Sequence, residues 1–413
     1  MAKLPLCAVR VWASLLLSLG LVACTQTPSG LGLGSAPTHT PAASPTPVGW
    51  VTRTPEPLVP TLVGGTTTDG RDPDVASTLP VAAETPRPGT LGVRQEGGAW
   101  PDRARFGVGA PGEGGSITDY AVEQLGIGWY LNWGVEVSPA RPGGLAFWQM
   151  VRVSGSRSGG AGYRPDAETI QAAAAANPGS TWMIGNEPDV AWQDNTGPER
   201  YAELYHELYQ LIKSADPSSQ IAIAGVSQPT PLRLAYLEQV LDAYRDRYGQ
   251  PMPVDVWNVH GFVLREERDS WGVSIPPGSD ATAGVLYEIE DHGDLEAFQN
   301  QIVAFRRWMA EHGQRDRPLV LSEFGILMPA DYGFGPAQVQ AYMYATLDYL
   351  STATDEQIGC PQDGDRLVQW WAWYSLADTV YPTSNLFDPG TKALTDLGRA
   401  FAAYAPPTYT NGP

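Results

Sequence analysis

The sequence predicts an α/β protein: a (β/α)8 TIM barrel preceded by a disordered tether rich in threonine and proline. Three observations lead to this fold class. Eight short apolar runs after position 103 alternate with longer amphipathic stretches, the runs are continuously apolar, and the segment before them has no periodicity. A chain of 413 residues has room for one barrel of about 250 residues plus extensions.

The predicted organisation has three parts, a signal peptide at 1–23, a linker at 24–102 and a barrel domain at 103–413. Lys3 and Arg10 flank the start of an apolar run that is too short to span a bilayer. The run ends in LVAC at 21–24, which resembles the lipobox of bacterial lipoproteins. That resemblance implies cleavage before Cys24 and attachment of a lipid to its thiol. An ordinary secretory signal with a chance cysteine is the alternative.

Both alternatives predict an exported protein, either lipid-anchored to the outer face of the cell membrane or secreted. From position 25 to about 100, Thr, Pro, Ser and Gly recur with no helical or strand period. Such a segment cannot bury enough apolar surface to offset the entropy of ordering it. We therefore predict a disordered tether that holds the barrel away from the membrane.

Charge and cysteine content limit the possible chemistry. The chain has 26 Lys+Arg against 45 Asp+Glu, a formal charge of −19, which repels phosphate backbones and argues against a nucleic-acid partner. Cys7 lies in the signal and Cys24 is the predicted lipid site, so Cys360 is the one thiol left in the barrel domain. A single thiol allows no intramolecular disulfide there, and we expect neither a zinc site nor a nucleophilic cysteine.

The eight apolar runs are predicted to be the strands of the barrel. In order they are ARFGVGAP, LGIGWYLNWGVE, LAFWQMVRVS, TWMIGNEPD, QIAIAGVSQ, VDVWNVHGF, PLVLSEFGI and LVQWWAWYS. Amphipathic patterns predict helices over 166–176, 198–214, 231–248, 294–312 and 335–351. The first units are less regular, because only a short helix is expected around 118–125 and the stretch 134–145 shows no helical pattern.

Polar and aromatic residues stand where several of these strands end. Catalytic residues of such barrels lie at the carboxyl ends of the strands. At those ends the sequence places Asn186 and Glu187 after strand four, His260 on strand six, Glu323 on strand seven, and Trp371, Trp373 and Tyr374 on strand eight. We expect two carboxylates, a histidine, an amide and several rings to meet on one face.

The two glutamates are the central observation. Strands four and seven lie across the mouth of an eight-stranded barrel, and glycoside hydrolysis with retention needs two carboxyl groups about 5 to 5.5 Å apart. Taken alone, Glu187 before Pro188 is equally consistent with an acidic residue that starts a helix, and Glu323 with a surface turn. Their joint placement at two strand ends favours a catalytic pair.

The motifs GNEPD at 185–189 and LSEFG at 321–325 resemble those of the clan A glycoside hydrolases, barrel enzymes with catalytic glutamates on strands four and seven. The resemblance extends from about 105 to 404. It implies Glu187 as general acid/base, Asn186 as the partner of the sugar 2-hydroxyl and Glu323 as nucleophile. GWYLNWG at 128–134, taken with NEPD, resembles glycoside hydrolase family 128, whose members cleave β-1,3-glucans.

One departure concerns strand six. Many clan A members have His-x-Tyr there, and the tyrosine hydroxyl contacts the nucleophile, whereas this chain has His260-Gly261-Phe262. A phenyl ring cannot donate that hydrogen bond. Tyr374, Tyr130 or His260 itself are the candidates to replace it.

Aromatic content is compatible with carbohydrate binding. The chain has 14 Trp and 18 Tyr, and flat rings stack well on the C–H faces of sugars. We predict that Trp133, Trp371, Trp373 and Tyr374 bind substrate together with His260 and Asn186. Trp371 and Trp373 lie two residues apart on one face of strand eight, so core packing is the alternative for them.

The functional expectation is a retaining glycoside hydrolase that acts on an extracytoplasmic polysaccharide or oligosaccharide, with β-1,3-glucan as the sharpest specific choice. Xylosidase-like and mannanase-like activities are the next choices. The double displacement needs neither a metal ion nor an organic cofactor. Two alternatives stay open, a non-catalytic carbohydrate-binding surface lipoprotein on the same barrel and a transglycosylase. The oligomeric state is not predicted.

Overall fold

A computed structural model of the chain describes residues 102–156 and 162–404. The predicted signal peptide, Cys24 and the linker up to residue 101 lie outside the described residues, so these remain predictions. None of the helices within the described ranges combines the length and apolarity that crossing a membrane requires.

The described residues form the predicted barrel of eight parallel strands. They are β1 Phe106–Gly109, β2 Trp129–Leu131, β3 in two pieces (Ala146–Phe147 and Gln149–Val153), β4 Thr181–Ile184, β5 Gln220–Ile223, β6 Trp257–His260, β7 Leu319–Phe324 and β8 Trp370–Trp373. The two pieces of β3 join a six-stranded ladder to one containing β4 and β5. Bridges Ala222↔Val256 and Val226↔Val259 connect β5 to β6 and close the ring.

Within the described residues, six helices of eight or more residues surround the strands: α1 Ala167–Ala176, α2 Pro198–Ala215, α3 Pro231–Tyr248, α4 Leu295–Glu311, α5 Pro336–Thr352 and α6 Asp396–Ala403. A four-residue helix, Asp102–Arg105, precedes β1. Local chemistry explains where they begin. The Asp166 side chain accepts the Thr169 N–H at the start of α1 and Asp294 caps α4 in the same way, while α2, α3 and α5 begin with proline.

The first helical unit differs from the prediction. In place of a helix around 118–125 the chain forms two 3-10 turns, Ile117–Asp119 and Val122–Leu125. Gly126, in a left-handed conformation with φ 66°, ends the second turn. So few residues cannot repay the cost of nucleating an α-helix. The stretch 134–145 likewise contains one short 3-10 turn, Pro142–Gly144.

The barrel interior is filled by side chains below the strand ends. Trp129 and Trp148 stack there with their ring centroids 4.2 Å apart, next to Met150, Met183 and Trp370. Gly107 on β1 has to be glycine, because a Cβ atom would lie 2.3 Å from the Trp129 ring. This densely packed layer limits the movement of the residues at the strand ends.

A smaller apolar cluster lies above the barrel. It consists of Val190, Phe262, Leu264 and Val273, with Trp271 packed against it. The long insertion between β6 and α4 is therefore folded onto the mouth. Phe262, the departure noted in the sequence, is 3% exposed and belongs to this cluster.

Candidate active site

The loop after β4 holds Glu187 in an unusual backbone conformation. Gly185 has φ 94° and Glu187 has φ 43°, a region that side chains other than glycine rarely adopt. Buried Asp194 accepts the Asn186 N–H at 2.7 Å, and the Glu187 N–H donates to Gly225 O at 3.0 Å. Glu187 does not start a helix, since α2 begins only at Pro198. The loop instead turns its carboxylate toward β6.

His260 lies between the two predicted catalytic carboxylates. Its Nδ1 is 3.0 Å from Glu187 Oε1 and its Nε2 is 3.5 Å from Glu323 Oε1. The ring is fully buried, and Glu187 and Glu323 are 8% and 6% exposed. Gly225 leaves room for the ring, because a Cβ atom would lie 2.5 Å from it. Glu187, His260 and Glu323 thus lie together in the structure, although 136 positions separate the first from the last in the sequence.

Trp133 supplies the contact to Glu323 that Phe262 cannot make. The indole Nε1–H donates to Glu323 Oε1 at 2.7 Å. Of the three expected substitutes, Tyr130 donates its hydroxyl to Ala140 O at 2.6 Å and Tyr374 donates its hydroxyl to Asp378. The third, His260, does lie beside Glu323, with Nε2 3.5 Å from Oε1. Trp133 is predicted from the sequence to bind substrate, but its contact with Glu323 is not, because nothing local in the sequence links position 133 to β7.

Electrostatics couple the three groups. Burial raises the pKa of Glu323 to about 7; the charge of His260 and the Trp133 hydrogen bond oppose that rise, and the charge of Glu187 adds to it. Burial disfavours the charged form of His260, but the charges of Glu323 and Glu187 outweigh it and raise the pKa of the ring above its ordinary value. Within the described residues, no group of three or more His, Cys, Asp or Glu side chains is arranged to hold a metal ion.

The structure corrects the prediction for Trp371 and Trp373. Both are buried, at 1% and 0% exposure, in the core between strands and helices. Trp371 packs edge-on against Phe106 with centroids 4.9 Å apart, and Trp373 donates its N–H to Ser384 O at 2.8 Å. Their spacing of two does put them on one face of β8, but it is the face turned away from the barrel interior.

Other predicted residues do lie at the mouth. Asn186 is 3% exposed, and its side-chain oxygen has no hydrogen-bond partner among the described residues. The Tyr374 ring contacts Trp133 edge-on with centroids 5.7 Å apart. Asn186 thus directly precedes Glu187, and Tyr374 contacts the indole that binds Glu323.

A buried ion cluster that the sequence did not predict supports the loop. Arg233 in the first turn of α3 donates to Asp189 at 2.7 Å and also pairs with Glu266. All three side chains are fully buried. Burial raises the pKa of Asp189 although the charge of Arg233 opposes the rise. Asp189 follows Glu187 by two residues, so the cluster connects the loop after β4 to α3 and to the insertion after β6.

Comparison with known proteins decides the class of chemistry. A family model described as "Glycosyl hydrolase catalytic core" matches residues 109–270, which include Trp133, Glu187 and His260. The protein is a glycosidase. No curated protein matches the chain in sequence.

Solved structures share the fold of this glycosidase. One is a subgroup II endo-β-1,3-glucanase of glycoside hydrolase family 128 from Pseudomonas viridiflava, 18% identical, with 73% of this chain and 98% of that chain covered and a TM-score of 0.50. A second, from Sorangium cellulosum, is 16% identical over 73% and 99% of the two chains, with a TM-score of 0.48. At 18% identity the likeness to the Pseudomonas viridiflava structure concerns the fold, and it agrees with the barrel described above.

Replacing Glu323 with glutamine is expected to stabilise the fold at alkaline pH. Glu323 has a pKa of about 7 in the folded protein against an ordinary value of 4.5, so the folded state binds this proton more tightly. The resulting destabilisation is absent below pH 4.5, grows as the pH rises to 7 and is complete above 7. We expect Glu323→Gln to raise the free energy of unfolding by about 1 to 3 kcal/mol at pH 8.

Urea unfolding of both proteins at pH 8 and pH 4 measures this effect, which should be small at pH 4. Glu311→Gln, at an exposed position at the end of α4, is the matched control and should leave the pH dependence unchanged. An equal gain from Glu323→Gln at both pH values would contradict the electrostatic explanation.

Proposed function

We propose that this glycosidase hydrolyses β-1,3-glucan with retention of anomeric configuration, outside the cytoplasmic membrane. The observation that carries the proposal is the position of Glu187 and Glu323, which contact the two nitrogens of one buried imidazole from the ends of β4 and β7. A retaining mechanism needs two carboxyl groups that flank the scissile bond, with one protonated and one ionised. Burial, together with the charge of Glu187, raises the pKa of Glu323 to about 7.

In the proposed mechanism Glu323 attacks the anomeric carbon while Glu187 donates its proton to the departing glycosidic oxygen. A covalent glycosyl-enzyme results. Glu187 then removes a proton from a water molecule, which attacks the same carbon and frees Glu323. The Trp133 N–H stabilises the charge of Glu323 before attack, and Asn186 is placed to bind the 2-hydroxyl.

The choice of β-1,3-glucan has two supports. The sequence GWYLNWG at 128–134, with NEPD, resembles family 128, and the structural neighbour from Pseudomonas viridiflava is an endo-β-1,3-glucanase of that family. The charge of −19 repels anionic polymers, whereas a neutral glucan is unaffected by it.

The test is a panel of β-1,3-glucan, β-1,4-xylan and β-1,4-mannan, assayed with the parent protein and with Glu323→Gln. We expect the parent to release reducing ends fastest from β-1,3-glucan and the variant to release almost none. Preferred cleavage of xylan or mannan would contradict the substrate. Equal glucan breakdown by both proteins would contradict the role of Glu323, and formation of longer oligosaccharides without net hydrolysis would favour a transglycosylase.

The Trp133→Phe variant is expected to lower kcat/KM by about 10- to 100-fold, because a hydrogen bond to a charged group contributes about 1.5 to 3 kcal/mol. The productive form carries its single proton on Glu187. Losing the indole N–H raises the pKa of Glu323, so the proton moves toward Glu323 and fewer molecules are productive. The alkaline limb of kcat/KM, expected near pH 7 in the parent, should move to higher pH while the maximum falls. A lower maximum with an unmoved limb would contradict this role.

We also propose that Cys24 carries a lipid that anchors the enzyme outside the membrane, on the strength of the LVAC motif. Expression of the full chain in a bacterial host with labelled palmitate tests this. The parent should be labelled and partition into the detergent phase of a Triton X-114 separation, and Cys24→Ser should do neither. An unlabelled parent recovered in the aqueous phase would overturn the anchor and leave a secreted enzyme.

A further inference from the structure

We infer that Asp378, in the loop after β8, is a positioning residue that fixes Trp133 through Tyr374 and thereby places the hydrogen bond on Glu323. The inference rests on the proposed role of Glu323 as nucleophile. Asp378 itself does not contact Glu323 or Glu187 and belongs to no motif found in the sequence. Its carboxylate is 3% exposed.

Asp378 is hydrogen-bonded to several residues of the loop after β8. One carboxylate oxygen accepts the Val380 N–H at 2.6 Å and the Tyr381 N–H at 3.3 Å, and the other accepts the Tyr374 hydroxyl. The Asn385 side chain accepts the Asp378 N–H and donates to its carbonyl, both at 2.7 Å. These bonds give the carboxylate a fixed position, so the hydroxyl that it accepts is fixed as well.

The Tyr374 ring in turn bounds the space for the Trp133 indole. The two rings meet edge-on at 71° with centroids 5.7 Å apart, and Phe262 packs against Tyr374 with centroids 6.3 Å apart. A Cβ atom on Gly109 would lie 2.7 Å from the Trp133 ring and 3.5 Å from Tyr374. The indole therefore lies against Gly109 and Tyr374, and any shift of Tyr374 opens space for it to move.

This support matters because the Trp133 contact is demanding. The residue has φ 58°, a disfavoured backbone conformation that only its surroundings can maintain, and its N–H reaches Glu323 at 2.7 Å. Hydrogen bonds weaken steeply when their angle departs from linear. A ring free to tilt would thus spend less time bonded to Glu323.

Other charged groups face these residues and affect the pKa values of Glu323 and Tyr374. Glu323 experiences the charges of His260, Glu187 and Arg152, and Tyr374 those of Asp378, Glu323 and Tyr381. Burial and the charge of Asp378 raise the pKa of Tyr374 far above its ordinary value, so Tyr374 remains a hydrogen-bond donor throughout the working range. Changes seen between pH 5 and 9 in the proposed variants therefore report on Glu323 and His260.

The test is a double-mutant cycle with Tyr374→Phe and Trp133→Phe. Tyr374→Phe removes the hydroxyl and keeps the ring. We expect it to lower kcat about three- to tenfold with little change in KM, and to move the alkaline limb of kcat/KM upward, as Trp133→Phe does. Because Tyr374 acts through Trp133, the double variant should be no slower than Trp133→Phe alone. Tyr332→Phe, at an exposed position after β7, is the control and should behave as the parent.

Additive losses, or a Tyr374→Phe effect confined to KM, would overturn the inference and give Tyr374 a direct role at the substrate. A second readout separates this failure from failure of the proposed function. Carboxyl 13C NMR of the parent and of Tyr374→Phe, with labelled glutamate assigned through Glu323→Gln, follows the pKa of Glu323 without substrate. An unchanged Glu323 titration in Tyr374→Phe overturns the positioning role whether or not any glucan is cleaved, whereas absent glucan turnover by the parent concerns the proposed function alone.

Discussion

Replacing Glu323 with alanine is expected to lower turnover by at least about 10³-fold and to leave an enzyme that azide can partly restore. With an activated aryl β-glucoside the leaving group departs readily, and azide fits the space that the carboxylate vacated. Azide then attacks from the side of the missing nucleophile. The expected product is the α-glucosyl azide, identified by NMR.

Glu187→Ala is the matched variant for the other role. Glu323 remains, so an activated substrate still forms the glycosyl-enzyme, and azide attacks that intermediate in place of water. The product should then be the β-glucosyl azide. If Glu323→Ala gave the β product, or Glu187→Ala the α product, the assignment of the two roles would be reversed.

The second large effect concerns stability. Arg233→Met is expected to lower the free energy of unfolding by about 3 to 5 kcal/mol at pH 7, because it leaves the buried carboxylates of Asp189 and Glu266 without their cation. Arg233 also donates to Ser227 Oγ at 2.6 Å and to Val273 O at 3.0 Å, and these bonds would be lost as well. Denaturant unfolding followed by tryptophan fluorescence measures the change.

The same helix supplies a control. Arg245 pairs with Asp242 at the other end of α3, and both side chains are 61% exposed. Exposed ion pairs contribute little to stability, so the free energy of unfolding of Arg245→Met should lie within about 0.5 kcal/mol of the parent value. The loss in Arg233→Met should shrink at pH 5, because burial raises the pKa of Asp189 and its carboxylate can then take up a proton. Equal losses in the two variants would contradict a buried ion cluster.

The sequence predicted most of the architecture because the dominant signal in a parallel barrel is local. Continuous apolar runs mark strands covered on both faces, and all eight predicted strands form. Helix ends were predicted to within one residue where a capping side chain or proline lies at the start, as at Asp166 and Pro231. The prediction of a helix around 118–125 was wrong, because a short apolar pattern does not distinguish a 3-10 turn from an α-helix.

The site was only partly predictable. Glu187, His260 and Glu323 were found because strand ends of a barrel converge, so topology alone brings them together. The hydrogen bond from Trp133 to Glu323 and that from Tyr374 to Asp378 depend on side-chain directions in loops, which no periodicity encodes. Trp371 and Trp373 show the reverse problem, since alternation identifies a shared face of β8 but not whether that face is inner or outer.

The stereochemistry of hydrolysis tests the central claim most directly. The parent protein is mixed with a short β-1,3-linked gluco-oligosaccharide, and the anomeric protons of the new reducing end are followed by NMR before mutarotation. Attack by Glu323 followed by attack of water gives two inversions, so the β-anomer should appear first. Initial appearance of the α-anomer would mean a single displacement by water, and it would contradict Glu323 as the nucleophile.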